Sequence, residues 1–167
     1  EDGKVVGVQG IARDISERKR AGIRNAAFSS LGQKLSSAGT PEAAARVVVE
    51  VADSLLGWDS ASVDLYLAEV DRVFTVLNID LIDGRRTVAP PAYVDRAPTP
   101  MARRIFEKGA ELILRSPDTR MPPHVIPFGD TARPSASLLY VPVRNGTRVI
   151  GLLTIQSYTS YAYDEED

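Results

Sequence analysis

The sequence predicts an α+β domain in which an antiparallel sheet carries long helices on one face and a loop-covered pocket on the other. The main observation is the segment 139–155, where two runs of strand-forming residues flank Asn145-Gly146. Both residues tolerate the positive φ of a type I′ turn, so the segment predicts a β-hairpin. Two further alternating runs, 60–67 and 72–82, predict a second hairpin, and two helical patterns precede it. Strands joined by tight turns, with helices segregated from them, give an antiparallel sheet covered on one side.

The composition limits the class of protein. The chain has 167 residues, of which 44% are hydrophobic and 25% charged, with a net charge of −2. These values are typical of a soluble globular domain, and they provide no positive field for nucleic acid. The sequence contains no membrane-spanning run and no signal-peptide pattern, so we expect a cytoplasmic protein. Cysteine is absent, which excludes disulfides, thiolate metal sites, a cysteine nucleophile and a thioether-linked chromophore.

The first predicted elements are a short strand at 3–11 and a helix capped by Asp14 or Ser16. The helix carries an apolar stripe at i, i+4 spacing, formed by Ile23, Ala27, Leu31 and Leu35. We expect this stripe either to cover the sheet or to form the seam of a dimer. Two glycines, Gly22 and Gly32, weaken the helix by roughly 1 kcal/mol each relative to alanine.

The second helix is predicted from its two ends. Thr40 is a favourable amino-terminal cap, Pro41 suits the first helical position, and Gly57 ends the helix in a left-handed conformation. Apolar residues recur at helical spacing between these ends. This is the helix that the sequence specifies most clearly.

The two strands at 60–67 and 72–82 have distinct faces if their alternation is strict. One face of the hairpin is mostly apolar and takes Val63, Leu65, Leu67, Val73, Thr75, Leu77, Ile79 and Leu81. The other face is mixed and takes Ser62, Asp64, Tyr66, Phe74, Val76, Asn78, Asp80 and Ile82. A mixed second face indicates a sheet that is partly buried on both sides.

The remaining predicted elements are short. A proline-rich loop follows Asp83-Gly84, a helix runs from Thr99-Pro100 to Gly109, and a brief strand covers 111–114. The connection 115–134 contains the only histidine, His124, and a connection of that length is usually a functional lid or is disordered. The acidic segment 163–167 is typical of the start of a helix. Both ends look cut, so we expect a piece of a longer polypeptide.

The order of elements resembles a GAF domain, and the resemblance covers residues 23–167 with the last helix truncated. The motifs that carry it are Ser137-Leu-Leu-Tyr-Val-Pro-Val143, the turn at Asn145-Gly146, and Val149-Ile-Gly-Leu-Leu-Thr-Ile-Gln156. The resemblance implies a GAF-like (profilin-like) antiparallel sheet. It also implies a sensory role and, in many members, dimerisation.

The amino end resembles the end of a PAS domain. Residues 1–15 are similar to its C-terminal strand, and Arg13-Asp-Ile-Ser-Glu-Arg-Lys-Arg-Ala21 is similar to its exit, so that 16–22 start a linker helix. The two resemblances imply part of a multidomain bacterial signalling protein, most often a two-component histidine kinase in a phosphorelay. A diguanylate cyclase or a phosphatase is the alternative effector domain in the same polypeptide. We expect the protein to be a homodimer.

Sequence motifs for catalysis are absent. The chain has no G-x-S-x-G, no H-E-x-x-H and no P-loop, and a single histidine cannot make a metal site alone. Reduction of oxidised methionine, which the resemblance also allows, uses cysteines in GAF-like enzymes. We therefore expect no catalysis by this fragment.

A ligand pocket is expected on the sheet face away from the long helices, where polar groups converge. Its predicted residues are Ser62, Asp64, Tyr66, Asn78, Asp80, Tyr140 and Gln156, with Arg103, Arg104 and His124 on the covering segments. For each of these residues the simpler interpretation is a satisfied or solvent-facing polar group. A domain without ligand, serving as a dimerisation spacer, therefore stays open as an alternative.

The cofactor is unknown from the sequence. The resemblance allows haem on His124, although a loop histidine without a motif is more often a surface residue. Bilin is disfavoured because the chain has no cysteine. The Asn-Lys…Phe…Asp-Glu set of nucleotide-binding members has no counterpart here.

Overall fold

The computed structural model describes residues 16–90, 95–116, 134–165 and 167. The strand predicted at 3–11, the resemblance to a PAS domain at 1–15, His124 and most of the connection 115–134 lie outside these residues. The described elements, in chain order, are α1 (Ser16–Ser36), α2 (Pro41–Leu56), β1 (Ser60–Leu67), β2 (Arg72–Ile82), β3 (Arg85–Val88), β4 (Asp95–Arg96), α3 (Pro100–Lys108), β5 (Glu111–Leu114), β6 (Ser137–Asn145) and β7 (Arg148–Ser157).

The strands form one antiparallel sheet in the order β3-β2-β1-β7-β6-β5, and β4 pairs with β2 beside this path. The predicted α+β class is therefore confirmed, as are the bounds of β1, β2 and β5. β1 and β7 lie at the centre of the sheet and pair antiparallel, although they come from the two different hairpins.

The β6–β7 hairpin is confirmed, but its turn differs from the predicted type. Asn145 is the last residue of β6 and pairs with Arg148, so the two-residue connection is Gly146-Thr147. Gly146 has a φ of 60°. A glycine with positive φ at the first loop position is the pattern of a type II′ turn, whereas type I′ needs positive φ at both loop positions.

A β-bulge reverses the predicted faces of half of β2. Val63 pairs with Leu77 but Asp64 pairs with Thr75, which leaves Val76 as an extra residue. Thr75 therefore shares a face with Asp64, and its Oγ1 donates a hydrogen bond of 2.6 Å to Asp64 Oδ1. The assignment of Val73 and Thr75 to the face of Leu77 is wrong, because one inserted residue inverts the alternation beyond it.

Two short strands lie where the sequence predicts only a loop. Asp83 (φ 51°) and Gly84 (φ 73°) both have positive φ and connect β2 to β3 as a tight hairpin. This is the Asp-Gly signal for a two-residue turn, which the sequence interpretation used only as the end of a strand. β4 is held against β2 by the pairs Val73–Arg96 and Phe74–Asp95.

The two long helices form layers on one side of the sheet. α2 packs against β1 and β2, and α1 packs against α2. The predicted ends of α2 are confirmed in position, because Thr40 Oγ1 accepts a hydrogen bond from the Ala43 N–H and Gly57 follows the last helical residue. Gly57 has a φ of 68° and a ψ of 152°, so its φ is positive as predicted but its backbone is not left-handed helical. The main core lies between α2 and the sheet and contains Ala45, Val49, Trp58, Ala61, Val63, Leu77, Ile155 and Tyr163.

The apolar stripe of α1 is only partly covered. Ala27, Leu31 and Leu35 are half-buried, whereas Ile23 is 59% exposed. Because α1 packs on α2, the stripe belongs to an outer helical layer and does not cover the sheet directly. None of the helices among the described residues is long and apolar enough to cross a membrane.

Candidate ligand-binding face

The sheet face opposite α2 carries two neighbouring rows of polar side chains. Cross-strand pairs fix the first row, in which Ser62 lies between Asn78 and Thr154, and Thr154 lies opposite Tyr140. The second row contains the pair Ser60–Gln156, and Asp80 follows Asn78 on the same face of β2. We call the set the polar floor; it consists of Ser60, Ser62, Asp64, Asn78, Asp80, Tyr140, Thr154 and Gln156.

Most of the polar floor is buried. Asp80 is 1% exposed, Asn78 4%, Thr154 4% and Gln156 8%. Buried polar residues are uncommon unless they are paired or have a functional role, and here they are concentrated on one face of one sheet. The structure thus brings together six of the predicted site residues, namely Ser62, Asp64, Asn78, Asp80, Tyr140 and Gln156.

The sequence interpretation missed Ser60 and Thr154 as members of this face. Ser60 is the first residue of β1, and Thr154 lies in the apolar run of β7. The signal for both was available, because Ser60 shares the parity of Ser62 and Thr154 shares the parity of Gln156. The sequence does not show the register between β1 and β7, which places Ser60 beside Gln156 and Thr154 beside Ser62.

Asp64 forms a buried ion pair at one end of the polar floor. Its Oδ2 lies 3.0 Å from Arg96 Nη2, and the two side chains are 7% and 27% exposed. Thr75 donates to the other carboxylate oxygen. Arg96 belongs to β4, which is held on β2 by its own exposed pair between Arg72 and Asp95 at 2.6 Å.

Asp80 lies at the other end of the polar floor. Its Oδ1 accepts hydrogen bonds of 2.7 Å from the Tyr158 hydroxyl and of 2.7 Å from the Leu81 N–H. Gln156 is also positioned by a hydrogen bond, because its Oε1 accepts from Ser135 Oγ at 2.6 Å. The two carboxylates thus bracket a central group of amide and hydroxyl side chains.

The helix α3 covers the Asp64 end of this face. Its Ala102 and Ile105 pack on Leu152, and Met101, Phe106 and Tyr140 surround that contact. Burial raises the pKa of the Tyr140 phenol. Phe106 also lies against Tyr66, with ring centroids 4.6 Å apart.

Tyr66 of β1 and Arg103 of α3 both bind Asp71 in the β1–β2 turn, and these contacts hold α3 in place. Arg103 pairs with Asp71 at 2.7 Å, and the Tyr66 hydroxyl donates to Asp71 Oδ1 at 3.0 Å. These hydrogen bonds, that from Arg103 first, lower the pKa of Asp71. Partial burial raises the pKa of Tyr66, and its hydrogen bond to Asp71 acts in the same direction. Both residues are predicted ligand contacts, and in the structure both bind Asp71.

Further arginines fix the other side of α3. Arg104 pairs with Glu111 of β5 at 2.6 Å, and Arg144 Nη2 donates to the Phe106 carbonyl oxygen at 2.7 Å. Arg104 was predicted to cover the pocket, and its guanidinium group lies over the β5 edge. The helix is therefore tied to three separate parts of the sheet by charged side chains.

A concavity lies on the opposite face of the sheet, between α2 and the β3 edge. It has a volume of about 230 Å³ and is lined by Arg46, Val49, Glu50, Asp53, Trp58, Ile79, Arg86 and Val88. The Arg86 guanidinium lies 3.8 Å from the centre of the Trp58 ring and forms two hydrogen bonds, of 2.5 and 2.7 Å, with Asp53. The sequence interpretation did not find this cleft, because it treated β3 as a loop.

Metal binding has no candidate cluster in the part of the chain that the structure describes. No three His, Cys, Asp or Glu side chains of those residues are grouped so that they could hold an ion. The floor carboxylates Asp64 and Asp80 are engaged separately, by Arg96 and by Tyr158.

Comparison with known proteins identifies the family of the sequence. The model of the GAF domain family matches residues 38–167. No match is found among curated proteins.

Solved structures with the same fold come from several kinds of protein. A GAF domain of a phosphoenolpyruvate-protein phosphotransferase from Coxiella burnetii is 13% identical, with a TM-score of 0.60 over 88% of this chain and 84% of that one. A free methionine-R-sulfoxide reductase from Neisseria meningitidis is 17% identical, with a TM-score of 0.62 over 98% and 87% of the two chains. A methyl-accepting chemotaxis protein, residues 122 to 287, is 14% identical, with a TM-score of 0.57 over 84% and 86%. At these identities the likeness shows the fold.

Proposed function

The chain belongs to the GAF domain family, and from that premise we propose that it is the non-catalytic sensory module of a multidomain bacterial signalling protein, a two-component sensor histidine kinase. GAF domains are sensory and regulatory modules. In this proposal a small molecule binds on the polar floor. Its binding, or a change in dimer packing, biases the helices that connect to a downstream effector in the same cytoplasmic polypeptide.

The observation that carries the proposal is the concentration of buried polar side chains on the sheet face away from α2. A sheet face that only needed covering would be apolar there, as the opposite face is around Val63, Leu77 and Ile155. Hydroxyl and amide groups such as Ser62, Asn78 and Thr154 lose hydration when they are buried, so they are retained where they recognise something polar.

α3 supports the sensory part of the proposal. It lies over one end of the polar floor and contacts Leu152 and Tyr140 through a small apolar surface. Its other contacts include arginine hydrogen bonds to Asp71 and Glu111, of 2.6–3.2 Å. A ligand beside Tyr140 would change the packing of α3 directly, and exposed ion pairs of this kind are weak enough to rearrange.

α1 supports the dimer part of the proposal. Ile23 and Phe28 are both 59% exposed, and residues 18–26 of this helix are all exposed. We propose that Ile23, Ala27, Leu31 and Leu35 form the dimer and signalling helix in the homodimer. Ligand-induced change in α2 would reach this helix through the α1–α2 contact.

Catalysis by this fragment is not part of the proposal. The chain contains no cysteine, and methionine sulfoxide reduction on GAF-like folds implies cysteine chemistry. The alternative effectors are a diguanylate cyclase and a phosphatase. A phosphoacceptor histidine with an ATP-binding region in the same polypeptide would decide for the kinase.

A thermal-shift screen with nucleotides, haem and metabolites tests the sensory function. A ligand at 100 times its Kd stabilises the folded state by about 2.7 kcal/mol, which raises the melting temperature by roughly 5–10 °C. Thr154→Leu fills the centre of the floor and should abolish the shift, whereas Thr147→Leu in the exposed turn should not. No shift with any compound would favour the ligand-free dimerisation spacer.

A further inference from the structure

Two buried side-chain atoms of the polar floor have no hydrogen-bond partner. They are Ser60 Oγ and Asn78 Oδ1, and the two residues are 3% and 4% exposed. Among the described residues these are the buried side-chain polar atoms left unpaired, and both lie on the same face of the same sheet.

The two unpaired atoms belong to neighbouring positions. Asn78 lies directly opposite Ser62, and Ser60 is the next residue of β1 on that face. Ser60 and Asn78 are therefore diagonal neighbours on adjacent strands, which places their backbones roughly 7–8 Å apart and their side chains within reach of one small group. A single ligand group can satisfy both atoms.

Leaving these atoms unpaired is costly for the folded state. A buried polar atom without a partner loses its hydration and gains nothing in return, and most buried polar atoms in native proteins are paired. An apolar residue at position 78 would avoid this cost on a sheet face that already packs Leu138 and Leu152. The presence of these unpaired atoms is explained if a bound ligand supplies their hydrogen bonds.

The chemistry of the two atoms selects the ligand group. Asn78 Oδ1 can only accept a hydrogen bond, so the ligand must donate one, and the Ser60 hydroxyl can donate or accept. An ionised carboxylate has no hydrogen to donate, so it would leave Asn78 Oδ1 unpaired. We infer that the ligand places an uncharged or cationic N–H donor, an amide or amidine group, on Asn78 Oδ1 and Ser60 Oγ. This inference rests on the proposed function, because it names the class of ligand for the same face.

The first test separates stability from binding. Ser60→Ala removes one unpaired atom without adding volume, and Asn78→Leu replaces the other with an apolar side chain of similar shape. We expect the melting temperature of Asn78→Leu to rise by about 2–4 °C and that of Ser60→Ala not to fall. A lower melting temperature in both variants would overturn the inference, since the atoms would then be making stabilising contacts.

The second test uses three small molecules of nearly equal shape and different charge: acetamide, acetamidinium and acetate. Each is titrated into the 15N-labelled 167-residue chain while the backbone amide signals of β1, β2 and β7 are followed by NMR. Acetamide or acetamidinium should shift the signals around Asn78 and Ser60, and acetate should not. Asn78→Leu should weaken this binding at least about tenfold, whereas the same change at the exposed Asn145 should leave it unaltered.

The outcomes distinguish this inference from the function on which it rests. Equal binding of acetate, or unchanged affinity in Asn78→Leu, would overturn the inference. No response to any of the three probes would overturn it as well, because ordered water would then be sufficient for both atoms. In either case a ligand found by the thermal-shift screen, and blocked by Thr154→Leu, would still support the sensory function.

Discussion

Asp64 shows how one buried charge determines the arrangement of its neighbours. Its side chain is 7% exposed and belongs to the central strand β1. Removing a carboxylate from water is unfavourable unless a counter-charge and hydrogen bonds replace the lost hydration, and Arg96 and Thr75 provide both. The short strand β4 therefore has a structural role, because it positions the Arg96 guanidinium group beside Asp64.

Replacing Arg96 should be much more harmful than replacing a surface arginine. Arg96→Ala leaves Asp64 buried without its counter-charge, and we expect the free energy of unfolding to fall by about 3 kcal/mol. Urea denaturation measures the change. Arg46→Ala is the matched control, because its pair with Glu42 in α2 is 43% and 58% exposed and is worth less than about 1 kcal/mol. Equal losses in the two variants would show that Asp64 does not depend on Arg96.

Tyr163 makes the stability of the fold sensitive to alkaline pH. It is 3% exposed, and its hydroxyl donates to the Gly57 carbonyl oxygen at 3.0 Å. Burial first, with nearby carboxylates such as Asp59, raises the pKa of this phenol. The folded state therefore holds the proton more tightly than the unfolded state, whose tyrosine pKa is about 10. The stabilisation is complete below that pH and is lost as the pH rises above it.

Tyr163→Phe should reduce this alkaline sensitivity. We expect the variant to lose about 1 kcal/mol at neutral pH with the hydrogen bond to Gly57, and then to lose less than the parent between about pH 10 and 12. Urea midpoints measured across that range report the difference. Tyr161→Phe serves as the control, since Tyr161 is 69% exposed. An unchanged alkaline slope in Tyr163→Phe would exclude this phenol as the cause.

At the level of secondary structure, the contact between β1 and β7 depends on a glycine. Gly151 lies opposite Leu65, and a Cβ atom added to it would lie 2.4 Å from the backbone oxygen of Asp64. A backbone atom cannot move away without separating the two central strands. Gly151→Ala should therefore lower the free energy of unfolding by about 3 kcal/mol, at the upper end of the range for overpacking.

Gly22→Ala is the control for this prediction, and its expected effect has the opposite sign. Nothing lies within 4 Å of a Cβ atom added to Gly22 in α1, so alanine should stabilise the helix by about 0.5–1 kcal/mol. Both changes are measured by urea denaturation. A Gly151→Ala variant as stable as the parent would mean that β1 and β7 are less closely packed than their pairing indicates.

The ends of α2 and α3 could be predicted from local sequence signals, whereas the details of strand pairing could not. Thr40 and Thr99 cap their helices, and Gly57 and Gly109 end them with positive φ, all as the residue types predict. The bulge at Val76 was not predictable, because it depends on how β2 pairs with β1. β3 was missed since all four of its residues are exposed, which removes the alternation that identifies a strand.

At the scale of the whole molecule, the sequence was sufficient to predict the sheet face that forms the candidate site. Alternation along β1, β2, β6 and β7 was enough to assign Ser62, Asn78, Tyr140 and Gln156 to a common face. It did not predict that Tyr66 and Arg103 both bind Asp71, because the side-chain contacts of that turn depend on α3. Long-range partners such as Arg96 for Asp64 likewise appear only when distant segments are brought together.

The outer helix α1 carries the surface that we propose for the dimer. It has 21 residues against 16 in α2, and its residues 18–26 are all exposed. An exposed helical segment as short as 18–26 is only marginally stable in water, and Gly22 lowers its stability further. A second copy of the chain, packing along Ile23 and Phe28, would bury the exposed apolar side chains and stabilise these turns.

This dimer is tested by changing the two exposed apolar residues of α1. The parent chain should have the mass of two chains by light scattering at micromolar concentration, and Ile23→Asp combined with Phe28→Asp should have the mass of one. Val70→Asp controls for loss of surface hydrophobicity, since Val70 is 61% exposed in the β1–β2 turn. A mass of one chain for the parent across a wide concentration range would contradict the dimer. The polar floor would be unaffected by that result, because it lies on the opposite side of the sheet from the helical layers and is formed within a single chain.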